Sequence, residues 1–229
     1  MKSNSIMSLM ASLTILGIGA FIKPQSVSAE PASIFRPILR EIQSQLPKGW
    51  VVRLPSVVNL SDNPLYSEVV TTPGELAVLL NSQPNCMARA CQFGIITVGQ
   101  DSAYDNRLRS KPILSLKELE RVNAIRRRDY ENWTESDRQA LIRSEMAVLE
   151  RTPITLKQGI KGLFIMQNSA GASTPPSLSV IWKQDGLDYR ASMGVRLDRT
   201  RNVVSQRDKS ALINLAISMA NESPIQSVK

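Results

Sequence analysis

Residues 178–192 read LSVIWKQDGLDYRAS, and this stretch contains the clearest turn signal in the chain. Its centre, Asp185-Gly186, is the strongest hairpin-turn signal in the sequence, because Asp-Gly accepts the positive φ angles that a two-residue turn requires. The runs on both sides, 178–183 and 187–192, contain the apolar and aromatic residues that are typical of strands. The stretch therefore predicts an antiparallel β-hairpin near the C-terminal end of the chain.

Working outward from this hairpin, we find further strand-like runs at 154–156 and 162–167. Residues 75–81 and 93–98 are harder to assign. Thr72-x-x-Glu75 with Pro73 resembles a helix start, whereas the run of apolar residues at 78–80 favours a strand. We prefer a second hairpin here, because a helix would leave the two nearby cysteines without a geometric role.

Helical patterns flank these strands at both ends. Residues 32–46 carry apolar side chains at helical spacing, with Ser33 as a candidate cap. A closing helix begins at Asp208 or Ser210 and presents Leu212, Leu215, Ala216 and Met219 on one face. Between the first helix and the hairpin, residues 50–55 predict a short strand. Residues 56–74 predict mostly connection, with an extended piece at 66–70.

The segment 104–151 differs from the rest in its dense charge of both signs. Ser115-x-x-Glu118 is a capping box ahead of a narrow apolar stripe, and Thr134-x-x-Asp137 opens a second such stripe. We interpret the segment as a helical hairpin inserted between strands. The whole pattern predicts an α+β fold: a mainly antiparallel sheet flanked by N- and C-terminal helices, with a helical-hairpin insertion at about 104–151.

The N-terminal 29 residues have the features of a secretory signal peptide. Lys2 precedes one apolar run at 6–22, and Val27-x-Ala29 is a small-residue cleavage site. An uncleaved membrane anchor is the alternative, although the run is at the short end of the spanning range. We expect residues 1–29 to be removed and 30–229 to form a single domain outside the cytoplasm, in the periplasm or the extracellular space.

Composition excludes several classes of function. The chain contains no histidine, which excludes Ser-His-Asp and Cys-His catalysis as well as His-ligated zinc. We find no catalytic, cofactor-binding or metal-binding motif in the sequence. The candidate carboxylates Asp185, Asp188 and Asp198 are considered as an acid/base pair, but Asp at a turn is expected for backbone hydrogen bonding.

The net charge of +8, from 28 basic and 20 acidic residues, suggests an anionic partner. Export and few aromatic residues argue against nucleic acid. We expect an acidic envelope protein, an anionic polymer or lipid headgroups instead. Arg126, Arg127 and Arg128 are the candidate contact residues for such a partner. The alternative is that they only complement the dipole at a helix C-terminus.

Cys86 and Cys91 are the only cysteines. In an oxidising compartment such a pair predicts a structural disulfide, which would pin the loop of the hairpin formed by 75–81 and 93–98. A redox-active pair is the alternative, but redox motifs have two intervening residues and this pair has four.

The C-terminal block has a recognisable pattern: Trp182, Gly186 and Tyr189, followed by an L-x-x-x-A-x-S-M run from Leu212 to Met219. This resembles a secreted domain of unknown function in an uncharacterised cyanobacterial exported family, across about 34–98 and 152–225. The resemblance implies export, with the thylakoid lumen as a further compartment, and it implies no catalytic residues. Trp182 and Tyr189 are interpreted as an aromatic pair packed under the closing helix.

The sequence thus predicts an extracytoplasmic, non-enzymatic binding or interaction domain without a cofactor. The alternative is a His-independent hydrolase that acts on an envelope polymer through carboxylates or a Ser/Lys pair.

Overall fold

A computed structural model describes residues 30–86, 90–144, 147–156, 159–168, 176–195 and 204–227. The predicted signal peptide and Asp198 lie outside these residues. Within them the fold is α+β, as the sequence predicts. No helix in the described ranges has the length and apolar character needed to cross a membrane.

Seven of the described strands form one large antiparallel sheet. They are β2 (Tyr66–Thr72), β3 (Glu75–Asn81), β4 (Gln92–Gly99), β5 (Val148–Thr155), β6 (Lys161–Gln167), β7 (Ser177–Gln184) and β8 (Leu187–Gly194). Their order across the sheet is β2-β3-β4-β8-β7-β6-β5. The two-stranded pair of β1 (Val51–Val52) and β9 (Ile225–Gln226) lies outside it. β2 and β5 are therefore the edges of the large sheet.

The hairpin at 178–192 forms as predicted, and it lies inside the sheet. Asp185 and Gly186 have φ angles of 54° and 77°, the left-handed values of a tight two-residue turn. Trp182 and Tyr189 are directly opposite in the register, and their rings stack with centroids 5.3 Å apart. Both side chains are buried in the core beneath the C-terminal helix, which confirms their predicted packing.

The first face of the sheet, here called the core face, carries the main hydrophobic core. A 3-10 helix (Ser33–Ile38) and α1 (Leu39–Gln45) pack against β2, while α5 (Gln206–Asn221) packs against β7 and β8. Alternate residues of a strand point to opposite faces of the sheet, so burial identifies the positions that face this core. The large side chains buried here include Phe35, Ile42, Leu80, Phe164, Trp182 and Leu212.

The C-terminal helix begins earlier than the sequence suggests. It starts at Gln206, and the hydroxyl of Ser205 accepts a hydrogen bond from the N–H of Arg207. The predicted starts at Asp208 and Ser210 therefore lie inside the first turns. The cap was missed because the apolar stripe becomes visible only from Leu212 onward.

The predicted helical insertion contains three helices rather than a simple hairpin. α2 (Ala103–Ser110), α3 (Leu116–Arg126) and α4 (Glu135–Ser144) follow β4 in that order, and a 3-10 turn (Tyr130–Asn132) separates α3 from α4. The capping box of Ser115 and Glu118 forms as predicted, and α3 packs on α4. The predicted boundary of 151 is wrong, because residues 148–151 belong to strand β5.

α2 is the helix that covers the opposite face of the sheet, here called the second face. The sequence analysis did not predict it. Leu108 packs there against Val148, Ile165 and Ile181. α2 is short and strongly charged, so its helical period is difficult to recognise without the sheet that buries its apolar side chains.

Candidate functional site

The candidate site is a cleft at the start of β2, at the edge of the large sheet. Its volume is about 240 Å³, and it opens to solvent. The lining residues come from three segments: the 3-10 helix, β2 with the residue before it, and the loop between β3 and β4. They are Ile34, Pro37, Leu65, Tyr66, Ser67, Glu68, Pro84 and Asn85. We call this site the edge cleft.

The first wall of the edge cleft is the 3-10 helix. Its buried residues Phe35 and Ile38 anchor it in the core. The hydroxyl of Ser67 donates a hydrogen bond to the carbonyl oxygen of Ile34, which joins this wall directly to β2. Further along, the hydroxyl of Thr71 donates to the Oε1 atom of Gln45 in α1. The wall is thus fixed on a rigid element.

The second wall is the loop that the disulfide closes. Cys86 and Cys91 are bonded, with their Cα atoms 6.1 Å apart, as the sequence predicts. The N–H of Ser82 donates to the carbonyl oxygen of Cys91 at 2.8 Å, which joins the two ends of the loop. Asn85 adopts a φ of 56°, a left-handed value that Asn tolerates better than most residues. The disulfide therefore constrains the residues that border the cleft.

One residue that lines the edge cleft, Glu68, carries an unmet hydrogen-bond acceptor. Its Oε1 atom is buried and has no hydrogen-bond partner among the described residues. Asn81 follows Leu79, the cross-strand partner of Glu68, by two positions, and its two side-chain polar atoms are also buried without partners. Most buried polar atoms in proteins have a partner, so such a group requires an explanation. A cation or hydrogen-bond donor that reaches the carboxylate of Glu68 would supply a partner.

A second polar cluster lies on the second face beneath α2. The guanidinium of Arg190 contacts the carboxylate of Asp105 at 2.7 Å and that of Glu75 at 3.4 Å. It also lies over the ring of Tyr104, 4.6 Å from the centroid. Asp188, in the same strand as Arg190, accepts a hydrogen bond from the N–H of Ser102 at 3.1 Å.

Burial raises the pKa of two groups in this cluster. It raises the pKa of the Asp105 carboxyl, and the adjacent Arg190 charge opposes this only in part. Burial likewise raises the pKa of the Tyr104 hydroxyl. The charges in the cluster satisfy one another, and the adjacent cavity, lined in part by Tyr104 and Leu108, measures about 60 Å³. Ligand pockets usually occupy several hundred cubic ångströms, so the cluster serves to attach α2 to the sheet.

Of the carboxylates singled out from the sequence, Asp185 and Asp188 do not form a pair with each other, and Asp198 lies outside the described residues. Asp185 lies at the hairpin turn, and its Oδ2 atom accepts from Nε of Arg53 at 2.9 Å. Asp188 contacts Lys183 and the N-terminal end of α2 instead. The sequence offers Asp188 as an acid/base candidate or a turn residue and assigns no role to Arg190, whose charge in an otherwise apolar strand is the available signal.

The arginine triplet lies at the C-terminal end of α3. Arg128 pairs with Asp137 in α4 at 3.0 Å, and its carbonyl oxygen accepts from the indole N–H of Trp133. Arg127 is exposed and Arg126 is half-buried. Arg128 thus has an internal role in joining the two helices. Contact of the triplet with an anionic partner remains a prediction.

Sequence reasoning missed the edge cleft, because residues 56–74 were interpreted mainly as connection. The available signal was the run 66–72, YSEVVTT, whose β-branched residues end at Pro73-Gly74. The described residues include no group of three or more Cys, Asp or Glu side chains that could hold a metal ion.

Comparisons with protein-family models, with curated proteins and with solved structures find no match. The resemblance of the C-terminal block to an exported cyanobacterial family therefore remains a prediction.

Proposed function

We propose that this chain is an exported, non-enzymatic interaction domain that binds a partner at the edge cleft. The observation that carries the proposal is the open and mostly apolar edge cleft, one of whose lining residues, Glu68, has a buried Oε1 atom without a partner among the described residues. Apolar surface with a single unmet polar group is typical of a recognition site. The volume of about 240 Å³ is small for an enclosed ligand, which favours part of a larger partner.

Export supports the same interpretation. The predicted signal peptide at 1–29 would direct the chain out of the cytoplasm, and the bond between Cys86 and Cys91 suits an oxidising compartment. The periplasm, the extracellular space and the thylakoid lumen all fit. In each of them a domain without a cofactor can act by binding other envelope components.

The alternative, a His-independent hydrolase, has weaker support. Among the described residues, the carboxylates with the most distinctive environment are Asp105 and Asp188, which interact electrostatically. Both are almost fully buried beneath α2, with exposed fractions of 2% and 4%. A polymer chain could not reach them without displacement of the helix.

Capture from an envelope extract tests the proposed function. Tyr66 lines the cleft and is 42% exposed, so Tyr66→Ala removes an aromatic contact without a large effect on the core. Tyr130, 67% exposed in the helical segment, provides the matched control Tyr130→Ala. We expect at least one partner to bind the wild type and Tyr130→Ala but not Tyr66→Ala.

Identical partner sets for all three proteins would contradict the proposed site. Turnover of an envelope polymer by the purified wild type would contradict the non-enzymatic assignment.

A further inference from the structure

The two edges of the large sheet differ in how they are protected. In β5, Pro153 lacks an N–H, and Val148 forms a bridge with Ile113. The Arg151 guanidinium also donates to the carbonyl oxygens of Leu108 and Lys111. Proline, inserted charges and covering segments are the usual means of preventing further strand pairing.

β2 has fewer of these protections, although the 3-10 helix and α1 contact it through the side chains of Ser67 and Thr71. Its sequence, YSEVVTT, contains no proline, no lysine and one charged residue. Among the described residues, no main-chain hydrogen bond joins 66–72 to any segment other than β3. With seven residues, β2 offers several main-chain groups for pairing. Such an edge is a template for a further strand.

The register shows which groups of β2 are available. Thr72 and Glu75 flank the Pro73-Gly74 turn and begin the pairing of β2 with β3. In an antiparallel ladder the hydrogen-bonded residues alternate, so Ser67, Val69 and Thr71 direct their N–H and C=O groups away from β3. These groups can pair with an added strand.

Glu68 lies between two of these residues, Ser67 and Val69. In an added antiparallel strand, the residue opposite Glu68 would occupy a non-hydrogen-bonded position, where opposing side chains approach most closely. A lysine or arginine at that position would bring a cation to the carboxylate whose Oε1 atom is buried and unpartnered.

We propose that β2 binds an extended peptide segment of a partner protein by antiparallel strand addition, with a basic side chain opposite Glu68. This inference rests on the proposed function and specifies its partner. A second copy of this chain fits less well, because β2 contains no cation that could meet Glu68 of its neighbour.

The test measures binding of two synthetic peptides to the full-length chain by fluorescence anisotropy. Both are capped octamers of alternating Thr and Val, with a central Lys in one and a central Glu in the other. We expect the Lys peptide to bind about tenfold more tightly, since opposite charges across strands attract and like charges repel. Glu68→Gln should remove most of this preference, and Glu68→Lys should reverse it.

Thr71→Pro tests the main-chain contact. The N–H of Thr71 faces away from β3, so proline there blocks an added strand while the β2–β3 ladder remains. Thr71→Ala is the control, because it removes the hydroxyl and the methyl group but keeps the main-chain N–H. We expect Thr71→Pro to abolish peptide binding and Thr71→Ala to retain it, with both variants folded by circular dichroism.

Three results would overturn the inference. They are failure of the wild type to bind either peptide, equal binding by Thr71→Pro, and a dimer of the wild type that Thr71→Pro converts to monomer. If the first occurs while Tyr66→Ala still loses a captured partner, the interaction domain stands and strand addition fails.

Discussion

At the residue scale, the buried polar groups are of two kinds: those that have a partner within the protein and those that have none among the described residues. Arg190 is 8% exposed and is surrounded by carboxylates and an aromatic ring, so its charge is compensated. Glu68 and Asn81 carry buried polar atoms that remain uncompensated. The first arrangement stabilises the fold, whereas the second lowers stability; at Glu68, which lines the edge cleft, it also suits a binding site.

Because Arg190 compensates a buried carboxylate, we expect Arg190→Leu to lower the stability of the protein strongly. Removing the guanidinium leaves Asp105 buried without its partner, which typically costs about 3–5 kcal/mol in the free energy of unfolding. Urea denaturation at neutral pH measures this loss. The control is Arg207→Leu, because Arg207 pairs with Asp62 on the exposed surface, where ion pairs contribute about 0–1 kcal/mol.

The same variant has a pH dependence of known sign. Folding raises the pKa of Asp105, so the folded state binds a proton at this carboxyl more tightly than the unfolded state does. Any stability from this shift is present below the unfolded pKa of about 3.9 and is lost as pH rises through the folded value. The deficit of Arg190→Leu should therefore shrink as pH falls toward 4. A deficit independent of pH would contradict the role assigned to Asp105.

Because the polar atoms of Asn81 have no partner among the described residues, we expect that Asn81→Val does not destabilise the protein. Asn81 is fully buried in β3, and neither of its side-chain polar atoms has a partner. Replacing it with an apolar β-branched residue removes a desolvation cost of about 1–3 kcal/mol. Thermal and urea unfolding should show unchanged or increased stability. A loss above about 1 kcal/mol would mean that Asn81 has a structural partner in solution.

At the element scale, the elements specified by local sequence signals were predicted correctly, whereas those that depend on long-range packing were not. The Asp185-Gly186 hairpin, the capping box at Ser115 and the disulfide-closed hairpin follow from turn, cap and cysteine chemistry, and all three form. β2 was only partly recognised and α2 was missed. Both depend on a sheet surface that is assembled from distant strands.

The disulfide-closed loop predicts a moderate stability change. Replacing Cys86 and Cys91 with Ser opens a six-residue loop, for which the chain-entropy relation gives about 2 kcal/mol. The purified wild type should also show no reaction with a thiol reagent until it is reduced. Rapid labelling without reductant would indicate a reactive pair instead.

The pair of helices α3 and α4 predicts an acid-sensitive segment. Hydrogen bonds from the N–H and hydroxyl groups of Thr134 lower the pKa of Asp137, and the Arg128 guanidinium adds to this. A lowered folded pKa stabilises the segment above the unfolded value of about 3.9, and this stabilisation is lost as pH falls through the folded value.

Amide exchange across 116–144, corrected for intrinsic rates, measures this effect. We expect the wild type to be less protected at pH 3 than at pH 6. Asp137→Asn should be less protected than the wild type at pH 6 and should respond more weakly to pH. Equal protection of both proteins at pH 6 would contradict the capping role of Asp137.

At the scale of the whole molecule, the large sheet joins the core and the candidate site. Helices cover its core face, α2 covers part of its second face, and β5 is a protected edge. The fold class follows from the sequence because periodicity and turns are local. The edge cleft does not, since it depends on which strand lies at the edge and on which polar atoms packing leaves without partners.

Hydrogen exchange of the β2 amides with and without the Lys peptide tests strand addition at β2. If β2 receives an added strand, the amides of Ser67, Val69 and Thr71 should slow markedly in the complex, because each gains an acceptor. The amides of Glu68 and Val70, which already pair with β3, should change little. Binding that leaves Ser67, Val69 and Thr71 as fast as in the free protein would contradict the account.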